Sequence, residues 1–168
     1  MQPPCLTGLG SVGPLIRGPA GMAPGRGDGG PERPRGATRP PAGRQLQGVR
    51  VLIVEDEALV AINLETMLED LGGEVCGTAA AGQEAVRKAR QLRPQLAVVD
   101  VRLKDGETGI EAARVMAEEL GIAIVFASAH SDPRIVARME TVAGAGRLTK
   151  PYDIAQLVDV IHRVVRRQ

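Results

Sequence analysis

The sequence has no tryptophan, one phenylalanine and one tyrosine in 168 residues. With Phe126 and Tyr152 as its whole aromatic stock, the chain has no row of rings on which successive bases could stack, which argues against a single-strand nucleic-acid platform. A core has to be assembled from Val, Leu, Ile, Ala and Met. The two cysteines, Cys5 and Cys76, form no disulfide framework, and a reducing cytoplasm suits them. No apolar stretch approaches the roughly 20 residues that cross a bilayer, so a soluble protein is expected. Net charge is also nearly missing, at +1, but that balance conceals an asymmetry.

Residues 1–48 hold nine of the twelve prolines and twelve of the 21 glycines, with six arginines against Asp28 and Glu32. Such a stretch buries too little apolar surface to offset its ordering entropy, and is expected to be a disordered extension ahead of a domain at 49–168. The extension is basic and the domain mildly acidic. It lacks the apolar centre of a secretory signal, and its prolines and glycines spoil the amphipathic helix of a transit peptide. An arginine-rich arm that touches nucleic acid or anionic lipid is one reading. A flexible extension without a specific role is preferred, and a native start further along, for example at Met22, is a third option.

From Val49 onward apolar runs alternate with helical periodicity. Val49 to Val54 reads as a buried strand followed at once by Glu55-Asp56-Glu57. Val60, Leu64, Met67, Leu68 and Leu71 recur at helical spacing until Gly72-Gly73. Val75 to Ala79 is a second strand, and Ala85, Ala89 and Leu92 mark a short helix closed by Pro94. Gln95 to Asp100 is the central strand. Thr108 and Glu111 have capping-box spacing, which predicts a helix start there. Ile122 to Ala127 is a fourth strand, ending at Ser128, and Asp132-Pro133 reads as an N-cap with proline at the first helical position. Ile135, Met139 and Val142 give the fourth helix its stripe. Gly146 to Thr149 is a fifth strand that meets Lys150-Pro151, and Ile154, Leu157, Val158, Ile161 and Val165 form the inner face of the last helix.

Five repeats of strand then helix, with continuous apolar strands, predict an α/β fold: a doubly wound five-stranded parallel sheet with helices on both faces. Right-handed crossovers with one reversal give the flavodoxin-like order 2-1-3-4-5. Ligands in such folds sit beyond the carboxyl ends of the strands, where the winding reverses between strands 1 and 3. That rule puts Glu55 and Asp56 beside Asp100, with Ser128 and Lys150 on the flanking strand ends. An aspartate at a strand exit can simply cap the following loop; its company here favours chemistry. Three carboxylates at one crevice call for a hard divalent cation, and Mg²⁺ suits carboxylates, waters and phosphate oxygens. A lysine meets phosphate as a point charge, and a serine hydroxyl can donate to a phosphoryl oxygen. Together they describe a site where one carboxylate attacks phosphorus.

The residues Val51-Leu52-Ile53-Val54-Glu55-Asp56-Glu57, Val98-Val99-Asp100-Val101, Asp105-Gly106 with Gly109, Ala127-Ser128-Ala129 and Lys150-Pro151 resemble the receiver domain of two-component response regulators, over about residues 49 to 167. The resemblance implies Asp100 as phosphoacceptor. It implies Mg²⁺ held by Glu55, Asp56, Asp100 and the backbone carbonyl of Arg102, with Ser128 following the phosphoryl group and Lys150 pairing with it. In receivers Pro151 usually follows a cis bond. Receivers also usually carry Tyr or Phe three residues before the lysine. Arg147 stands there instead, so the resemblance does not carry over the usual coupling of hydroxyl to aromatic. Phe126-Ala127-Ser128 is similar to the Phe-Ala-Thr pattern of an alphaproteobacterial receiver subgroup that lacks that aromatic, although Ala129-His130-Ser131 does not complete its motif. That subgroup implies an HWE-type sensor kinase as partner.

By the same resemblance Arg102 and His130 line the approach to an aspartyl phosphate and tune its lifetime; an exposed loop histidine is the plainer reading of His130. His162 is expected to be a solvated residue of the last helix, and Arg163, Arg166 and Arg167 to complement that helix's dipole rather than to bind DNA. The expected function is a single-domain switch. It accepts phosphate from a sensor histidine kinase or phosphotransfer protein, then binds a partner through the helix 4, strand 5 and helix 5 face or drains phosphate from a shared kinase. Because the chain stops after the fifth helix, no output domain, no direct DNA binding and no membrane role are expected. Two alternatives stay open. One is a small phosphatase working through an aspartyl phosphate, disfavoured because Arg102 stands where such enzymes place a second aspartate. The other is a phosphate-independent scaffold, which Arg147 keeps alive.

Overall fold

The computed structural model describes residues 45–103, 109–129 and 132–166. The elements alternate without exception: β1 (Arg50–Val54), α1 (Ala58–Asp70), β2 (Glu74–Ala79), α2 (Gly82–Leu92), β3 (Leu96–Asp100), α3 (Gly109–Leu120), β4 (Ala123–Ser128), α4 (Pro133–Glu140), β5 (Gly146–Thr149) and α5 (Ile154–Val165). All strands are parallel, in the order β2-β1-β3-β4-β5. This is the flavodoxin-like order that the apolar runs and crossover rules predict. No helix among the described residues is long and apolar enough to cross a membrane.

The three inner strands bury both faces because, apart from Arg50 at the start of β1, Asp100 at the end of β3 and Ser128 at the end of β4, their positions are apolar, and the period of two divides them between separate cores. Val51, Ile53, Val98 and Val125 join α1 and α5 in one core. Leu52, Val54, Ala97, Val99, Ile124 and Phe126 join α2, α3 and α4 in the other. The edge strands are poorer. Glu74 begins β2, which is mostly half-buried, and β5 buries only Leu148. Gly146 lets β5 approach α5: a Cβ there would lie 2.6 and 2.8 Å from methyls of Val160 and Val164. Both methyls belong to buried valines held in one strongly preferred helical rotamer, so Gly146→Ala is expected to cost about 2–3 kcal/mol, read as a lowered urea midpoint with unchanged slope.

The helix ends follow from local chemistry. Asp132 caps α4 through Arg134 N at 2.8 Å, with Pro133 in the first turn. Asp153 and Gln156 form a reciprocal capping box on α5, at 2.8 and 2.9 Å. The α2 helix stops at Arg93, which takes a left-handed conformation at φ 47° and donates its N–H to Ala89 O at 2.9 Å. Thr108 lies outside the described residues.

Three expectations are corrected. Ile154 does not belong to the inner face of α5: at the helix's first position it is 38% exposed, and Val160 and Val164 are buried instead. On α1 the inward position is Ala61 rather than Val60, leaving Leu59 and Ile62 exposed. His162 is not simply solvated; half-buried, its Nε2 lies 2.9 Å from Gln45 O. Leu46, on the extension side of the expected boundary at 48, is 1% exposed and sits in the core of α1 and α5. Its N–H donates to Leu71 O at 2.9 Å and its carbonyl accepts from Val49 N at 3.0 Å.

Candidate functional site

The sheet register sets the site. Val54 is level with Val99, Asp100 with Ala127, and Ser128 with Thr149. The next residues to emerge at this edge are therefore Glu55 after β1, Asp100 at the end of β3, Ser128 at the end of β4 and Lys150 after β5. Their convergence follows from parallel strands ending together.

Lys150 is the hub. Its Nζ donates to Glu55 Oε2 at 2.8 Å and to Asp100 Oδ2 at 2.7 Å. Each carboxylate spends its other oxygen on the backbone: Glu55 Oε1 accepts from Glu57 N at 3.2 Å, and Asp100 Oδ1 from Arg102 N at 3.1 Å. The Lys150 N–H donates to Ser128 O at 3.0 Å, which ties the lysine to the end of β4. Ser128 is 2% exposed, and the Lys150–Pro151 bond is cis.

Burial pushes the Glu55 carboxyl up from the ordinary value of 4.5. The Lys150 bond and charge and the Glu57 N–H pull the other way, Asp100 adds to the rise, and the net shift is upward. For Lys150, burial alone would lower the ammonium, but the bonds and charges of Asp100 and Glu55 outweigh it, and the group rises above 10.5. The folded state therefore holds the Lys150 proton more tightly than the unfolded chain does. The resulting stability is fully present below pH 10.5 and is lost as pH rises through the higher folded value. Urea midpoints measured from about pH 9 to about pH 12 should fall more steeply in the wild type than in Lys150→Met.

Asp56 follows Glu55 and is half-buried. Among the described residues no three His, Cys, Asp or Glu side chains are grouped as a metal cluster. The expected gathering of three carboxylates is therefore met in part: Glu55 and Asp100 converge on one cation, the Lys150 ammonium, which supplies the counter-charge that a metal otherwise would. Two hard oxygen donors aimed at one positive centre, with a third carboxylate adjacent in the chain, fit Mg²⁺ by chemistry. Arg102 is exposed and joins the site through its backbone. Arg147 pairs in register with Phe126 and is exposed. His130, with Asp105 and Gly106, lies outside the described residues.

Two residues carry more than the sequence signals. Gly109 donates its N–H to Val101 O at 3.0 Å, and a Cβ on it would lie 2.0 Å from the Asp100 carbonyl oxygen. No side chain fits, so this glycine sets how closely α3 approaches the site strand. Tyr152 packs half-buried against the α1 and α5 core. Burial raises its hydroxyl above 10.0; Lys150 counteracts this and Glu55 and Asp100 add to it, so the ring lies in the field of the site. The only sequence cue was its place two residues beyond the lysine.

A parallel five-stranded sheet with acidic groups at its switch point and a lysine just beyond the fifth strand defines the receiver class of signalling domains. The chain belongs to that family: the response regulator receiver domain model matches residues 51–162. Receivers of this family serve two-component systems, in which response regulators interact with kinases and downstream partners, and they generally bind Mg²⁺ at the phosphorylation site. The transcriptional regulatory protein PdtaR of Mycobacterium tuberculosis is 38% identical over 118 residues, covering 70% of this chain and 57% of that protein. The phyllosphere-induced regulator PhyR of Methylorubrum extorquens is 32% identical over 128 residues, covering 74% of this chain and 47% of that protein. The chain thus spans about half the length of these relatives. The signal receiver domain of a modulated diguanylate cyclase from Desulfovibrio desulfuricans superposes with a TM-score of 0.66 at 35% identity, over 70% of this chain and 94% of that one.

Proposed function

We propose that the chain is an aspartyl-phosphate switch of a two-component relay, with Asp100 as the phosphoacceptor. The observation that carries this reading is the meeting of Asp100, Glu55 and Lys150 within 2.8 Å contacts at the ends of β1, β3 and β5. A carboxylate oxygen of Asp100 attacks the phosphorus of a phosphohistidine on a sensor kinase, HWE-type by the subgroup resemblance, or on a phosphotransfer protein. The new P–O bond forms as the P–N bond breaks, and the imidazole leaves with the electron pair. Mg²⁺, held by Glu55, Asp56, Asp100 and the Arg102 carbonyl, would neutralise the gathering negative charge. Lys150 keeps its proton throughout and turns from carboxylate to phosphoryl oxygen. Ser128 offers a hydroxyl from a buried position one residue beyond the register partner of Asp100.

The phosphorylated state then acts by changing protein contacts at the face of α4, β5 and α5, in the cytoplasm, with Arg147 replacing the aromatic relay. In the same reading the chain ahead of Gln45 is an extension to this domain, Leu46 already belonging to its core. The test is intact-mass analysis of the full chain after acetyl phosphate treatment, with and without Mg²⁺, followed by peptide mapping. A Mg²⁺-dependent phosphoryl adduct on the peptide containing Asp100 is expected. No adduct, or one elsewhere, overturns the assignment and favours a phosphate-independent scaffold.

A further inference from the structure

A groove with a volume of about 980 Å³ lies away from Asp100, between α2 and α3. It exists because the facing positions are small. Gly82 on α2 and Ala112 on α3 are buried at its base, so the helices leave a trough that larger residues would fill. Val86 and Val115, both half-buried, form an apolar floor.

The rim is basic. Arg87, Arg90 and Arg138 line it against one carboxylate, Glu111, on a domain whose residues 49–168 carry more acidic than basic side chains. Arg90 pairs across the helices with Glu119 at 3.0 Å, and Arg138 of α4 pairs with Glu111 of α3. Among the described residues Arg87 is in no ion pair; its charge acts at a distance on Glu84.

We propose that this groove docks an acidic amphipathic helix of a partner protein. Both walls are helices, so an extended peptide would find no strand edge to join. A helix satisfies its own backbone and can seat one apolar face on Val86 and Val115 while its flanking carboxylates meet Arg87 and Arg90. Desolvated apolar contact supplies the affinity and the arginines the selectivity and on-rate. The proposal is independent of phosphorylation at Asp100.

The test uses the full ¹⁵N-labelled chain and two synthetic amphipathic helical peptides with the same leucine face, one flanked by glutamates and the other by lysines. The acidic peptide is expected to shift the amides of Gly82, Val86, Arg87, Ala112 and Val115, and to bind at least about tenfold tighter than the basic one at low salt. Arg87→Glu should erase that preference. Ala112→Leu, which fills the trough, should weaken the acidic peptide by a similar factor. No shifts at the groove, equal affinity for both peptides, or shifts caused by self-association of the chain without peptide would each overturn the proposal.

Discussion

The Asp100→Asn variant is expected to take up no phosphoryl group from acetyl phosphate, with or without Mg²⁺, and still to fold. A carboxamide is neutral and has one acceptor oxygen in place of two. In the wild type both Asp100 oxygens are in use, one by Arg102 N at 3.1 Å and the other by Lys150 Nζ at 2.7 Å. Asparagine can serve only one of them with oxygen, at a cost of about 1 kcal/mol. Against that, removing the Asp100 charge relieves Glu55, whose carboxyl is raised first by burial and further by Asp100. The Glu55–Lys150 pair at 2.8 Å remains. These effects oppose, so the urea midpoint should stay near that of the wild type while the Glu55 carboxyl, followed by NMR, titrates lower. An adduct persisting in Asp100→Asn would move the phosphoacceptor elsewhere.

The second large effect is expected for Gly109→Ala. Its Cβ would meet the Asp100 carbonyl oxygen at 2.0 Å, the Asp100 carbonyl carbon at 3.1 Å and a Val99 methyl at 2.8 Å. Two of these atoms are backbone of a central strand and cannot turn aside, so α3 must shift as a unit. The cost is expected to be about 3 kcal/mol or more, at the upper end for overpacking, or on the order of 10 °C in thermal midpoint. Gly121→Ala is the control. That glycine has φ +65° but open space around it, so only conformational strain of about 1 kcal/mol applies. If the two variants melt alike, steric closeness at Gly109 is not what holds α3 to the site strand.

Much of this architecture is legible in the residues because the inner strands are apolar between their ends, with polar residues only at Arg50, Asp100 and Ser128, a pattern few other arrangements tolerate. Glu55, Asp100 and Lys150 could be brought together from topology alone, since parallel strands end at one edge. The features that escaped depend on three-dimensional context. Leu46 sits in a stretch dominated by glycine and proline, and nothing local marks it as core. Ile154 and Val160 have the same chemical character, and only the entry angle set by the Asp153 cap decides which faces inward. Lys150 serving as the bridge between two carboxylates was not legible, because a lysine just past the end of β5 gives no hint of where its long side chain ends. The groove between α2 and α3 was likewise silent, being made by small residues 30 positions apart, Gly82 and Ala112.

The sheet also acts as a partition. Val98 and Val99 are neighbours in the chain, yet one is answerable to α1 and α5 and the other to α2, α3 and α4. Each face can therefore be revised on its own terms. The surfaces carried by α5 and by α2 can change without disturbing the core behind the other, and a compensating change for a lesion on one side has to be sought among residues on that same side, however near in sequence the others lie.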